Sequence, residues 1–139
     1  KYKNLQFDIV GKISALDKFF LSKSKNVKIH GPLHKLDVLI KESICGVCNL
    51  KIATGIQTKI FTYMSYGLPS VVHNNSFPEN ILKKNKHVFV YKNDDQLISY
   101  IFKLIENKRI ANKISKTSFL SLKMKFNSSK IYGNYLKTF

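Results

Sequence analysis

Residues 44–73 read ICGVCNLKIATGIQTKIFTYMSYGLPSVVH, and this stretch changes its hydrophobic pattern twice. Residues 44–50 form a short apolar run typical of a buried strand, and residues 70–73 form another. The segment between them has apolar residues every four positions, which predicts a helix near 56–66. Strand, helix and strand in this order are typical of a parallel α/β fold.

The predicted helix near 56–66 has a clear buried face and a clear end. Ile56, Ile60 and Met64 fall on one side of it. Gly67 stands where a helix commonly ends in the left-handed conformation, and Pro69 follows two residues later. Both residues favour termination, so the chain is free to begin the next strand at residue 70.

The same alternation continues outward in both directions. It predicts an α/β fold: a Rossmann-like parallel sheet with helices on both faces, in one domain spanning 1–139. Phe and Tyr residues at helical spacing are expected in the core. Further strands are expected at 5–10, 26–30 and 87–91, and further helices at 14–23, 34–42, 78–84, 94–105, 108–122 and 128–137.

The formal net charge is +16, and the hydrophobic fraction of 44% indicates a globular chain rather than a disordered one. No apolar run approaches the ~18 residues of a membrane span. Arg109 is the only arginine, which argues against nucleic acid as a partner, because base and phosphate recognition favours arginine. The high lysine content has two possible explanations. One is codon bias in an AT-rich genome, which gives a solvated basic surface, and the other is attraction to an anionic membrane.

Cys45 and Cys48 form a C-x-x-C spacing, which occurs in redox and zinc sites. A second cysteine pair is missing from the sequence, which excludes a four-cysteine site. Residues three apart in a strand point to opposite faces, so we expect two structural thiols in the core.

The loop Ala53–Lys59 joins a predicted strand to a helix N-terminus. Helix N-termini attract anions through free N–H groups and the helix dipole, and Lys59 stands one turn into the helix. Neither a Walker A motif nor G-x-G-x-x-G is present. Spacing alone therefore leaves two readings open, a phosphate site or an ordinary turn before an amphipathic helix.

The run GIQTKIFTYMSYGLPSVV at residues 55–72 resembles the donor-site helix of the group 1 (family 4-like) glycosyltransferases. That helix often reads G-I-x-x-K-x-x-E-x-M-A-x-G-x-P-V-V. Other motifs of this family occur in the same order over roughly residues 5–120. They are FDIVG at 7–11, NVKIHG at 26–31, Pro78-Glu79 and the polar turn at 93–95.

The resemblance implies the C-terminal, donor-binding half of a GT-B enzyme that binds a nucleotide diphosphate sugar, with UDP or GDP favoured, and needs no metal or cofactor. It further implies that the first strand of this half and the whole acceptor domain are missing from the chain. The isolated chain is then expected to be inactive. By position, the expected donor-binding residues are Thr54, Gly55, Ile56, Gln57, Thr58, Lys59, Thr62, His30, Gly31, Leu33, Asn75 and Ser76.

Two positions depart from the family pattern. The family often carries two glutamates as E-x7-E, and here those positions hold Thr54 and Thr62. A threonine binds ribose hydroxyls more weakly than a carboxylate does. The retaining or inverting mechanism therefore stays open, and no catalytic residue is assigned.

The family's setting implies transfer of a hexose-like sugar to a glycan or lipid-linked acceptor in bacterial polysaccharide biosynthesis. The expected location is the cytoplasm, with peripheral contact at the inner, anionic face of the plasma membrane. Three alternatives remain. They are the donor subunit of a split glycosyltransferase, a GT-B-like epimerase, and a non-catalytic basic binding module.

Overall fold

The computed structural model describes residues 4–50 and 57–125. The chain divides into two compact units, Lys1–Val38 and Leu39–Phe139. The strands are β1 (Phe7–Val10), β2 (Val27–Gly31), β3 (Gly46–Cys48), β4 (Ser70–His73) and β5 (Phe89–Tyr91). The helices are α1 (Ala15–Leu21), α2 (Asp37–Glu42), α3 (Thr58–Ser65), α4 (Asp94–Glu106) and α5 (Lys108–Lys125).

The first unit contains a parallel pair, β1 and β2, connected through α1. Ser14 caps α1, because its hydroxyl accepts the Asp17 N–H at 3.0 Å. The expectation that helical aromatics are buried is wrong here: Phe19 is 59% exposed and Phe20 is 63% exposed. Their rings meet edge to face at 5.6 Å.

The second unit contains a parallel sheet of three strands in the order β3-β4-β5. Helix α3 connects β3 to β4, and α4 and α5 follow β5. Because all three strands run the same way, their carboxyl ends meet at one edge of the sheet. In open parallel sheets this edge is where ligands bind.

Side chains alternate between the two faces of this sheet, so there are two cores. On one face α3 contributes to a cluster of Cys48, Ile60, Met64, Val72, Leu82 and Val88. On the other face α4 and α5 cover Val71, Phe89, Tyr91, Leu104 and Ile114. The predicted arrangement, a parallel sheet with helices on both faces, is therefore confirmed.

Helix α3 approaches β3 closely because Gly46 has no side chain. A Cβ on Gly46 would lie 2.4 Å from the ring of Tyr63. The helix ends as the sequence predicts, at Gly67 with φ of +67°. Gly67 N–H donates to Met64 and Leu68 N–H to Tyr63, which is the Schellman pattern of helix termination.

One predicted helix is wrong and another cannot be compared. Residues 78–84 form turns rather than a helix. A single turn after Pro78 gives way to Asn85 in the left-handed conformation, with φ of +58°. The imidazole Nδ1 of the buried His87 accepts the Lys83 N–H at 3.1 Å, which a continuing helix would have used internally. The helix predicted at 128–137 lies outside the described residues.

Candidate functional site

The loops that follow β3 and β4 place polar residues at the carboxyl edge of the three-stranded sheet. Asn49 and Leu50 follow β3, and a single 3₁₀ turn at Asn74–Ser76 follows β4. The hydroxyl of Ser76 donates to the Leu50 carbonyl oxygen at 2.5 Å. This bond joins the loops after the two neighbouring strands and holds Ser76 at the edge.

Ser76 bonds to the loop just after β3, and the Lys59 charge acts on Cys48, the last residue of that strand. Burial raises the pKa of the Cys48 thiol, while the Lys59 charge and a hydrogen bond with Ser76 act in the opposite direction. The Lys59 ammonium therefore lies within electrostatic reach of this strand end. Lys59 is itself exposed in the first turn of α3, so its charge is also open to a ligand.

A second polar contact spans the same edge. The Tyr91 hydroxyl donates to Asn49 Oδ1 at 2.6 Å, and the Tyr91 ring meets His73 edge to face at 5.3 Å. Burial, with a smaller effect of the Asp94 charge, raises the pKa of Tyr91 to about 12. Tyr91 therefore remains a hydrogen-bond donor over the physiological pH range. His73 Nδ1 accepts the Asn75 N–H at 3.2 Å and fixes the turn after β4.

The expected donor residues around α3 are only partly described. Gln57 is the N-cap, Thr58 and Lys59 lie in the first turn, and the Thr62 hydroxyl donates back to the Thr58 carbonyl at 3.2 Å. Thr54, Gly55 and Ile56 lie outside the described residues. The structure thus brings Lys59 and Ser76 to one strand end, with Asn75 exposed beside Ser76. The role of each stays a prediction.

The remaining expected residues lie in the first unit. The register shifts between Ile9 and Val10, which leaves His30 as an extra residue in β2. His30 Nε2 donates to Asp8 Oδ1 at 2.6 Å. Gly31 has φ of +66°, and Leu33 is 41% exposed. Sequence reasoning missed the Asp8–His30 pair, although both are polar residues inside short strands, which is a usable signal.

The C-x-x-C spacing does not form a joint site. Cys48 is fully buried in one core cluster, and Cys45 packs against the other cluster. Both thiols are free, and burial raises the pKa of Cys45 to about 11. Both are therefore protonated and unreactive at neutral pH. The interpretation of two structural thiols agrees with this geometry.

In residues 4–50 and 57–125, no group of three or more His, Cys, Asp or Glu is placed to hold a metal ion. No described helix is both long and apolar enough to cross a membrane. A shallow groove runs along α4 from Asp95 to Glu106 and reaches Ile110, but its lining does not include the strand ends.

Comparison with known proteins decides the family. The family model for glycosyl transferases group 1 matches residues 1–107. The chain belongs to the group 1 glycosyltransferases. The sequence motifs predict this family, and the match of the family model confirms it. No curated protein sequence matches the chain significantly.

Solved structures of glycosyltransferases share the fold of this group 1 chain at low sequence identity. HepE from Anabaena in complex with UDP superposes with a TM-score of 0.82 and 14% identity, over 96% of this chain and 40% of HepE. A variant of TarM from S. aureus was solved in complex with fondaparinux, α-GlcNAc-glycerol and UDP. It superposes with a TM-score of 0.79 and 18% identity, over 95% of this chain and 28% of TarM. The C-terminal domain of LpcC, a group 1 protein from Francisella tularensis, superposes with a TM-score of 0.74 and 13% identity, over 91% of this chain and 72% of that domain.

These similarities establish a GT-B glycosyltransferase fold of the Rossmann-like α/β class. The chain spans well under half of HepE and TarM, 40% and 28% of their lengths. It spans most of the separate LpcC domain. The match therefore corresponds to one domain-sized part of the larger proteins.

Proposed function

We propose that this chain binds a nucleotide diphosphate sugar at the carboxyl edge of β3, β4 and β5, as the donor-binding part of a glycosyltransferase. The observation that carries the proposal is the exposed Lys59 in the first turn of α3, together with Ser76 bonded to the Leu50 carbonyl oxygen at the carboxyl edge of the sheet. An ammonium and a helix N-terminus are both suited to a diphosphate. The UDP complexes of HepE and TarM support the choice of ligand class.

In this proposal catalysis consists of positioning and electrostatic stabilisation. The negative charge on the departing nucleoside diphosphate grows as the sugar–oxygen bond breaks. Lys59 and the free N–H groups of the first turn of α3 offset that charge, which lowers the barrier without a metal ion. The side chains around Ser76 and Asn75 line the rim beside it.

The acceptor and its binding domain belong to the proposal as well. The chain would act with an acceptor domain, in the same protein or in a separate subunit, and transfer a hexose-like sugar to a glycan or lipid-linked acceptor. UDP and GDP are the favoured nucleotides. The reaction would take place at the cytoplasmic face of the membrane.

Ligand-detected NMR on the 139-residue chain, with UDP-, GDP-, ADP- and CMP-sugars, tests the proposal. Saturation transfer to one nucleotide would support it and identify the base. Lys59→Ala should then weaken binding by about 10-fold or more, as expected for a lost charge-assisted contact. Lys41→Ala, at an exposed position of α2, is the matched control and should leave affinity unchanged. Equal affinity of the Lys59→Ala variant and the wild type would contradict the proposed role of Lys59.

A further inference from the structure

The turn at residues 81–88 lies against the C-terminal half of α5. The Thr117 hydroxyl donates to the Lys86 carbonyl oxygen at 2.5 Å. About two helical turns later along α5, the Lys125 ammonium donates to the Ile81 carbonyl oxygen, also at 2.5 Å. These two contacts fix the turn on the helix, so that charges distant in sequence become neighbours.

The juxtaposed segments are strongly and uniformly basic. Lys83, Lys84 and Lys86 are exposed in the turn, and α5 contains basic residues but no Asp or Glu. Lys113 stands one turn before Thr117 on the same side of α5, and Thr117 also bonds to its carbonyl. We call Lys83, Lys86, Lys113 and Lys125 the basic patch.

Three of the four lysines of the basic patch, Lys83, Lys86 and Lys125, act electrostatically on His87. Its imidazole is buried, and its Nδ1 accepts the Lys83 N–H at 3.1 Å. Burial lowers the pKa of His87, and the positive charges of Lys86, Lys125 and Lys83 lower it further. Charges from both segments therefore act on one point. The nearest acidic residue along the chain before the turn is Glu79, which lies outside the patch.

The geometry points to a broad anionic surface rather than a pocket-bound anion as the partner of the basic patch. The patch is built on a turn and the outside of a helix, and the groove on α4 does not include its lysines. Lysines act as non-directional point charges, which suits a layer of lipid headgroups. We propose that the basic patch docks on an anionic membrane surface.

Nucleic acid is the other polyanion to consider, and the patch suits it less. Specific recognition of bases and phosphates relies on the planar, bidentate arginine side chain. Arg109 is the only arginine in the chain, and it stands at the opposite end of α5 from Lys125. The same experiment therefore includes a DNA duplex as a competing ligand.

Co-sedimentation with vesicles of phosphatidylcholine, with or without phosphatidylglycerol, tests the proposal. The wild-type chain should bind only the anionic vesicles, and salt should weaken binding because it screens the charges. The triple variant Lys83→Gln/Lys86→Gln/Lys113→Gln should bind at least about 10-fold more weakly, since each basic residue near the surface contributes. Lys125 is left intact because its ammonium holds the Ile81 carbonyl.

The matched control is Lys12→Gln/Lys18→Gln/Lys25→Gln, which removes the same charge at exposed positions in the first unit. This control should retain most of the binding. Equal losses in the two triple variants would overturn the proposal, since net charge alone would then explain attachment. Absence of vesicle binding, or preferential binding to DNA, would overturn it too. If the patch variant unfolds, the double variant Lys83→Gln/Lys86→Gln, confined to exposed turn positions, replaces it.

Discussion

The hydroxyl of Tyr91, at the end of β5, donates to Oδ1 of Asn49, just after β3, at 2.6 Å. Strand β4 lies between these two strands, so the bond crosses the whole carboxyl edge of the sheet. The Tyr91 ring also lies against His73 at the end of β4. One side chain thus contacts all three strand ends of the proposed donor site.

Replacing Tyr91 by phenylalanine should destabilise the fold by about 1–2 kcal/mol, the usual range for a lost hydrogen bond that leaves a partner unsatisfied. The ring and its packing are retained. Urea unfolding of Tyr91→Phe against wild type measures the difference. Tyr100→Phe is the control, because the Tyr100 ring stacks on Phe89 at 4.6 Å and its contribution is by packing. A Tyr91→Phe variant no less stable than Tyr100→Phe would contradict this prediction.

Gly46→Ala should destabilise the second unit by about 1–3 kcal/mol, the range for overpacking a core. The added Cβ would lie 2.4 Å from the Tyr63 ring, so α3 or β3 has to move. A double-mutant cycle with Tyr63→Ala isolates the clash. The Gly46→Ala change should have a much smaller effect once the ring is gone. An equal effect in both backgrounds would point to backbone conformation instead of the clash.

The stability of the chain should fall as the pH drops below about 6.5, in part because of His87. Its pKa is lowered in the folded state, mainly by burial. The unfolded chain therefore binds more protons between the folded pKa and the ordinary value near 6.5. The free energy of unfolding therefore rises with pH across that window. The stabilisation that the neutral His87 contributes is lost as the pH falls through it.

His87→Asn tests this linkage, because an asparagine oxygen can accept the Lys83 N–H in place of Nδ1. The variant should show a flatter dependence of unfolding free energy on pH below 6.5. His34→Asn, at an exposed position in the first unit, serves as the control and should keep the wild-type slope. A His87→Asn profile that follows the wild-type slope would argue against His87 as the group responsible.

Much of the fold could be predicted because its signals are local. The buried strands around Cys48 and Val72 are short apolar runs, and Gly67 ends α3 where the pattern indicated. The segment after Pro78 was mispredicted as a helix because its structure depends on a contact that sequence periodicity does not contain. The burial of His87 and its bond to Lys83 decide that turn.

The candidate site was less accessible from sequence, because its contacts connect distant residues. The motif around Lys59 resembles a donor site, and Ser76 is among the expected donor-binding residues, but the bond from Ser76 to the Leu50 carbonyl oxygen is visible only in three dimensions. The bond between Asn49 and Tyr91 joins the ends of two strands that are distant in sequence, and neither residue stood out as a motif. A polar residue directly after a buried strand was the one signal that could have indicated Asn49.

Helix α5 begins at Lys108, one residue after the family match ends. Yet Ile114 of this helix completes the core around Val71 and Phe89, and Ser115 donates a hydrogen bond to the Gly67 carbonyl. A recombinant fragment trimmed at residue 107 on grounds of homology would expose that apolar face to water and invite aggregation. In this chain the match to the family model ends before the folding unit does.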